Sequence, residues 1–163
     1  MHANDILKYG HSFIMGALDG LDESHYEDGG VCGFWSVKDI IGHLAVFEGL
    51  LAEILQGILE IDAPKPFMDT MMQQGPGAMN DLEYEKRKDK PFAEIIAEYD
   101  ASRTKVAELL AQVPLETQRQ AGLLAWYGAE YDLEDYLAYS FYGHKREHGA
   151  QINVLKDELK SGA

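Results

Sequence analysis

Two histidines stand four residues apart in the segment YGHKREHGAQI, at His144 and His148. An α-helix turns once every 3.6 residues, so a helical segment projects both imidazoles from one face, where both can meet a single ion. Carried along the helix, that face includes Leu133, Leu137 and Phe141 on one side and Ile152 and Leu155 on the other. The pair therefore falls on an apolar stripe, with Lys145 and Arg146 expected to point elsewhere. A third histidine, His43 in DIIGHLAVFE, shares its face with Ile40, Phe47 and Leu50. A lone core histidine is ordinarily just hydrogen-bonded, but three inward-facing histidines from two helices call for a shared partner. Buried polar groups left unsatisfied cost about 1–3 kcal/mol each, and one divalent metal ion would satisfy all three. Three protein ligands leave a coordination position open, the arrangement of a catalytic site; a closed structural site uses four. An open position can lower the pKa of a bound water to about 7, or bind and deprotonate a thiol. Hydrolysis and thiol transfer both follow from that chemistry.

The elements that must position these residues are helical, and no stretch alternates convincingly as a strand. A first helix is expected from Asn4 to Leu18, with Ile6, Leu7, Phe13, Ile14 and Leu18 on its buried face and Gly20 closing it. A glycine-rich polar loop follows, from Asp22 to Gly33. The second helix starts sharply at an N-cap, Ser36, with Asp39 three residues on forming a variant capping box. Trp35 before the cap can pack on Ile40. This helix runs to about Glu60, with Ile40, Leu44, Phe47, Leu51, Ile54 and Ile58 at steps of three and four. Residues 64–90 read as the least regular part of the chain, broken by Pro64, Pro66 and the GPG at 75–77, with a short helix from Asn80 to Lys88 capped by Asn80. A third long helix is expected from Pro91 to Val113. A loop from Pro114 to Glu130 leads to the last helix, from the N-cap Asp132 to about Leu159. The resulting class is an all-α four-helix bundle with long connecting loops, in one domain spanning 1–163.

Composition sets limits on partners. Asp and Glu outnumber Lys and Arg by 28 to 14, a formal charge of −14, which repels phosphate backbones and anionic lipid surfaces. Neither a nucleic acid nor a membrane is therefore an expected partner. The polar N-terminus does not read as a signal peptide, and no apolar run is expected to span a bilayer. Cys32 is the sole cysteine, so an internal disulfide is ruled out and a cytoplasmic location is expected. Exposed apolar surface on outer helices makes a homodimer the natural assembly to consider.

Two segments carry a family resemblance. WSVKDIIGHLAVFEGLLAEIL, with its tryptophan, capped start and histidine, resembles the second helix of the DinB-like (YfiT-like) metalloenzyme superfamily, and HKREH resembles that superfamily's final H-x-x-x-H helix. The resemblance covers nearly the whole chain in helix order and length, more loosely from Pro64 to Lys90. It implies a four-helix bundle in which His43, His144 and His148 bind a divalent ion, commonly zinc or nickel. It further implies a small-molecule substrate, with thiol-dependent S-transfer using a low-molecular-weight thiol ahead of metal-dependent hydrolysis. A non-catalytic protein that sequesters a toxic small molecule is the alternative. A di-iron carboxylate bundle is excluded because neither histidine-bearing helix has a Glu-x-x-His motif. Weaker candidates are Glu147 as a support to a ligand histidine, Asp39 near His43, and Asn80 as a group that polarises a substrate. The tyrosines at 127, 131, 136, 139 and 142 are expected to pack with their hydroxyls at the rim, and one of them could serve as an acid.

Overall fold

The computed structural model describes residues 2–162, and among these no strand occurs. The protein is all-α, as expected. Its contacts divide into two compact units, one of residues 1–34 and 114–163, the other of residues 35–113.

The first unit is built on α1 (Ala3–Leu18) and a long helical run near the C-terminus. That run begins with α6 (Leu133–Tyr136), widens into a π-helical stretch (Leu137–Tyr142), and continues as α7 (Gly143–Ser161); the short α5 (Leu115–Gln118) precedes it. Asp132 caps the run as expected: its side chain accepts the Asp135 N–H at 2.9 Å, and the Asp135 carboxylate accepts the Asp132 N–H in return. α1 packs on α7 and on the π-helical stretch, and its Ile6, Gly10, Ile14 and Ala17 are buried. Phe13, expected in the core, lies at its edge, 37% exposed. It still covers Gly149, where an added Cβ would stand 2.6 Å from the ring. Beyond α1, Lys156 donates to the Asp19 carbonyl at 2.6 Å, satisfying a carbonyl just past the last turn.

The second unit centres on α2 (Val37–Ile58), packed mainly on α4 (Phe92–Leu110) and also on α3 (Pro66–Glu85). The Ser36 capping box is present, with Ser36 Oγ accepting the Asp39 N–H and Asp39 accepting the Ser36 N–H at 2.9 Å. α2 is buried almost all round, and Ile40, Ile41, Leu44, Leu51 and Leu55 are closed off from solvent. Its buried surface also takes in Lys38, Glu48, Glu53 and Gln56. By length and composition alone it could cross a bilayer, contrary to expectation, but most of it is buried within the protein, as in a core helix.

Residues 66–85 are helical, where the sequence suggested irregular chain and a short helix from Asn80 to Lys88. The break is local: Gly75 adopts φ +87°, a left-handed value suited to glycine, and Pro76 then starts the next turn, where its missing N–H costs nothing. The start of α3 has no side-chain cap of its own. Its cap comes from α2, where Glu53 accepts the N–H groups of Phe67 (3.1 Å) and Met68 (2.8 Å). An anion there also meets the positive end of the helix dipole. Burial raises the Glu53 pKa, and these two bonds oppose the rise.

Candidate metal centre

His144 and His148 lie one turn apart on α7, and the helix brings them together: their Nε2 atoms are 2.9 Å apart. His148 is 5% exposed. Its Nδ1 donates to the side-chain oxygen of Gln151, 2.8 Å away. A proton held on Nδ1 leaves the lone pair on Nε2, the atom turned toward His144. This is the outer support that orients ligand histidines and sets their tautomer in metal sites. Sequence reasoning missed Gln151 and nominated Glu147 for this role, but Glu147 is exposed. The signal was available, since Gln151 follows His148 by three residues and so shares its face.

The pair is electrostatically prepared for a cation to replace protons. Burial holds the His144 pKa down to about 3, with the charges of His148 and Lys145 adding to the effect. Burial also lowers that of His148, partly offset by the Gln151 hydrogen bond. Both rings are thus neutral at pH 7, the form that ligates metals. Two nitrogens held by one tetrahedral zinc at 2.0–2.1 Å would be separated by about 3.3 Å. The 2.9 Å gap needs only slight opening, so this pair of donors fits an ion.

Lys145 does not point outward; it is 3% exposed. The buried stripe of α7 is wide enough to include it, because Lys145 follows Phe141 by four residues and precedes His148 by three. The helix against it supplies Gly10, and Lys145 Cδ lies 3.2 Å from where a Gly10 Cβ would stand. The aliphatic stem is thereby packed. The π-helical turn immediately before His144 is a device found often at functional sites. Tyr136, expected at the rim, is in the core. It packs edge-on against Tyr127, Trp126 and Phe141, and burial raises its pKa.

His43 belongs to the second unit, on the second turn of α2. Its ring lies between those of Trp35 and Phe47, with centroids 4.8 and 4.7 Å away. It lines a narrow cleft of about 20 Å³ together with Trp35, Gly42, Asn80, Tyr84 and Arg87. Asp39 borders the same cleft, and its carboxylate is held by Ser36. Asn80 does not cap a helix; it sits inside α3, and its Oδ1 is buried without a hydrogen-bond partner. Arg87, in the cleft wall, donates to Glu83 in the same wall and to Glu98 behind it on α4. Burial would raise the Glu83 pKa, but the bonds from Lys86 and Arg87 outweigh it and hold the carboxyl below its ordinary value.

Within the first unit, His144 and His148 offer two ring nitrogens of the kind that ligate a divalent ion, and in the second unit His43 offers another on α2. Neither a curated protein nor a solved structure gave a significant match. A family model described as the DinB superfamily matches residues 14–152, most of the chain. The chain belongs to the DinB superfamily.

Proposed function

We propose that His43, His144 and His148 together hold one divalent metal ion, zinc or nickel, and that the protein is a metal-dependent enzyme acting on a small molecule. The observation that carries this reading is the His144–His148 pair: two neutral imidazoles, Nε2 to Nε2 at 2.9 Å, one of them locked by Gln151 with its lone pair facing the other. Family membership supports the addition of His43. When bound, the ion would supply Lewis acidity and an activated water or thiolate at its open position. The cleft beside His43 would receive the substrate.

Thiol-dependent transfer to an electrophile is the leading reaction, with a low-molecular-weight thiol as co-substrate. Hydrolysis is second, and sequestration without turnover is the non-catalytic alternative. The reading also includes a cytoplasmic protein that forms a homodimer.

The deciding experiment is metal content per chain, on protein purified without added metal or a metal-binding tag, in the parent and in His43→Ala and His148→Ala. About one equivalent in the parent and little in either variant supports the triad. A screen of thiols against electrophiles then separates transfer from hydrolysis, and single-equivalent saturation without turnover identifies sequestration. A parent that neither carries nor takes up zinc or nickel removes the metal reading.

A further inference from the structure

We propose that the first half of α3, residues 66–75, is a flap that lifts from α2 and widens the cleft beside His43. The proposal rests on the reading that this cleft receives the substrate. At about 20 Å³ the cleft has room for about one water molecule, so a small-molecule substrate needs a wall to move. The second half of α3 is a fixed wall. Met79 and Glu83 are buried there, and Arg87 just beyond them donates to Glu83 and Glu98. Lys38 of α2 also donates to the Lys88 carbonyl at 3.0 Å. In contrast, none of residues 66–75 is buried. A helix with so few buried groups belongs to the low end of local stability.

Both ends of this half are breaks in regular structure. Residues 61–65 form neither helix nor strand, and Gly75 leaves the helical conformation at φ +87°. Pro76 has no N–H, so it cannot tie the second half of α3 to the turn before it. The first half can therefore detach while the second stays in place.

Two contacts keep the flap shut. Glu53, 6% exposed, accepts the N–H groups of Phe67 and Met68. The Phe67 ring lies on Gly49, where an added Cβ would stand 2.5 Å from it. Gly42, Val46, Gly49 and Glu53 follow at i, i+4, i+7 and i+11, along one face of α2. Gly42 and Val46 line the cleft, so its floor continues along that face to the flap. Lifting Phe67 from Gly49 extends the cleft over the same helix.

The test is amide hydrogen exchange, read by NMR on metal-free full-length protein. A ten-residue helix does not hold in water once it is lifted, so its amides then exchange. In the parent, the amides of residues 71–74 should exchange faster than those of 80–84, through an opening little affected by dilute urea. Glu53→Ala should speed exchange at 71–74 about 5- to 30-fold and leave 80–84 and α2 unchanged. Phe67→Ala should act in the same direction, although alanine favours the helix. In a Cys32→Ser background, Val46→Cys places a thiol at a position only 2% exposed. N-ethylmaleimide should label it at a rate that rises in step with exchange at 71–74. Exchange of 71–74 and 80–84 together, only on global unfolding, overturns the flap. Faster exchange at 71–74 with constant labelling of Val46→Cys also overturns it, because the segment would then not gate the cleft. None of these rates needs a metal, and zinc uptake is measured separately. Rates as expected without zinc uptake remove the metal centre alone, and zinc uptake with joint exchange removes the flap alone.

Discussion

Replacing Gln151 with leucine should weaken metal binding without touching a ligand. In the parent, the Gln151 oxygen holds the proton on His148 Nδ1 at 2.8 Å and leaves Nε2 with its lone pair. His148 is 5% exposed, so water cannot replace that acceptor freely. With leucine there, Nδ1–H would be an orphan donor costing about 1–3 kcal/mol. The ring escapes the cost by carrying its proton on Nε2 and donating it to His144, whose Nε2 is 2.9 Å away. An incoming ion must then displace that proton and leave Nδ1–H unpaired. The same penalty therefore appears in metal affinity, a loss of about 5- to 150-fold. This agrees with the roughly 10- to 100-fold cost of losing outer support at metal sites. The assay is competition for zinc between metal-free protein and a chromogenic chelator at neutral pH. Gln151→Glu keeps an acceptor and should bind at least as tightly as the parent. Equal zinc affinity in the parent and Gln151→Leu would refute the tautomer argument, provided that the variant unfolds at the same temperature as the parent without metal.

Three further predictions concern the frame around the site. Glu53→Ala removes the side-chain cap at the start of α3 and should destabilise the protein by about 1–2 kcal/mol, read from urea midpoints at unchanged slope. Arg87→Met leaves the Glu83 carboxylate, 9% exposed, with only Lys86 for an ion pair. It should cost about 3 kcal/mol, and Glu83→Gln in the same chain should recover much of that if the loss is a stranded charge. Metal-free protein should weaken in acid. The folded pKa of His144 lies below its ordinary value of 6.5, so the stability it contributes is complete above pH 6.5 and drains away as the pH falls toward about 3. Denaturation midpoints across that range should fall less steeply in His144→Leu, and an unchanged slope would contradict a buried, neutral His144.

Much of the site was legible because it is local. The i, i+4 relation of His144 and His148 follows from helix geometry alone, and the Ser36 and Asp132 boxes are written in spans of four residues. Gln151 belongs to that class too; attention to the charged neighbour Glu147 hid it. α3 is the opposite case. Two glycines and two prolines interrupt it, and only Met79 and Glu83 are buried, so no apolar stripe announces a helix. Its start is capped by Glu53 of α2, thirteen residues before Pro66. No local pattern could reveal such a cap.

The sequence by itself determined the all-α class, the long helices and the face that carries the His144–His148 pair, because backbone hydrogen bonding and the 3.6-residue turn act over neighbouring residues. Tertiary packing decided the rest. Lys145 packs its stem where the facing residue is Gly10, Asn80 Oδ1 is closed off inside the protein, and His43 rests against Trp35 and Phe47. These depend on which surfaces meet and on how much water they exclude, and burial is a property of the folded whole, not of spacing along the chain.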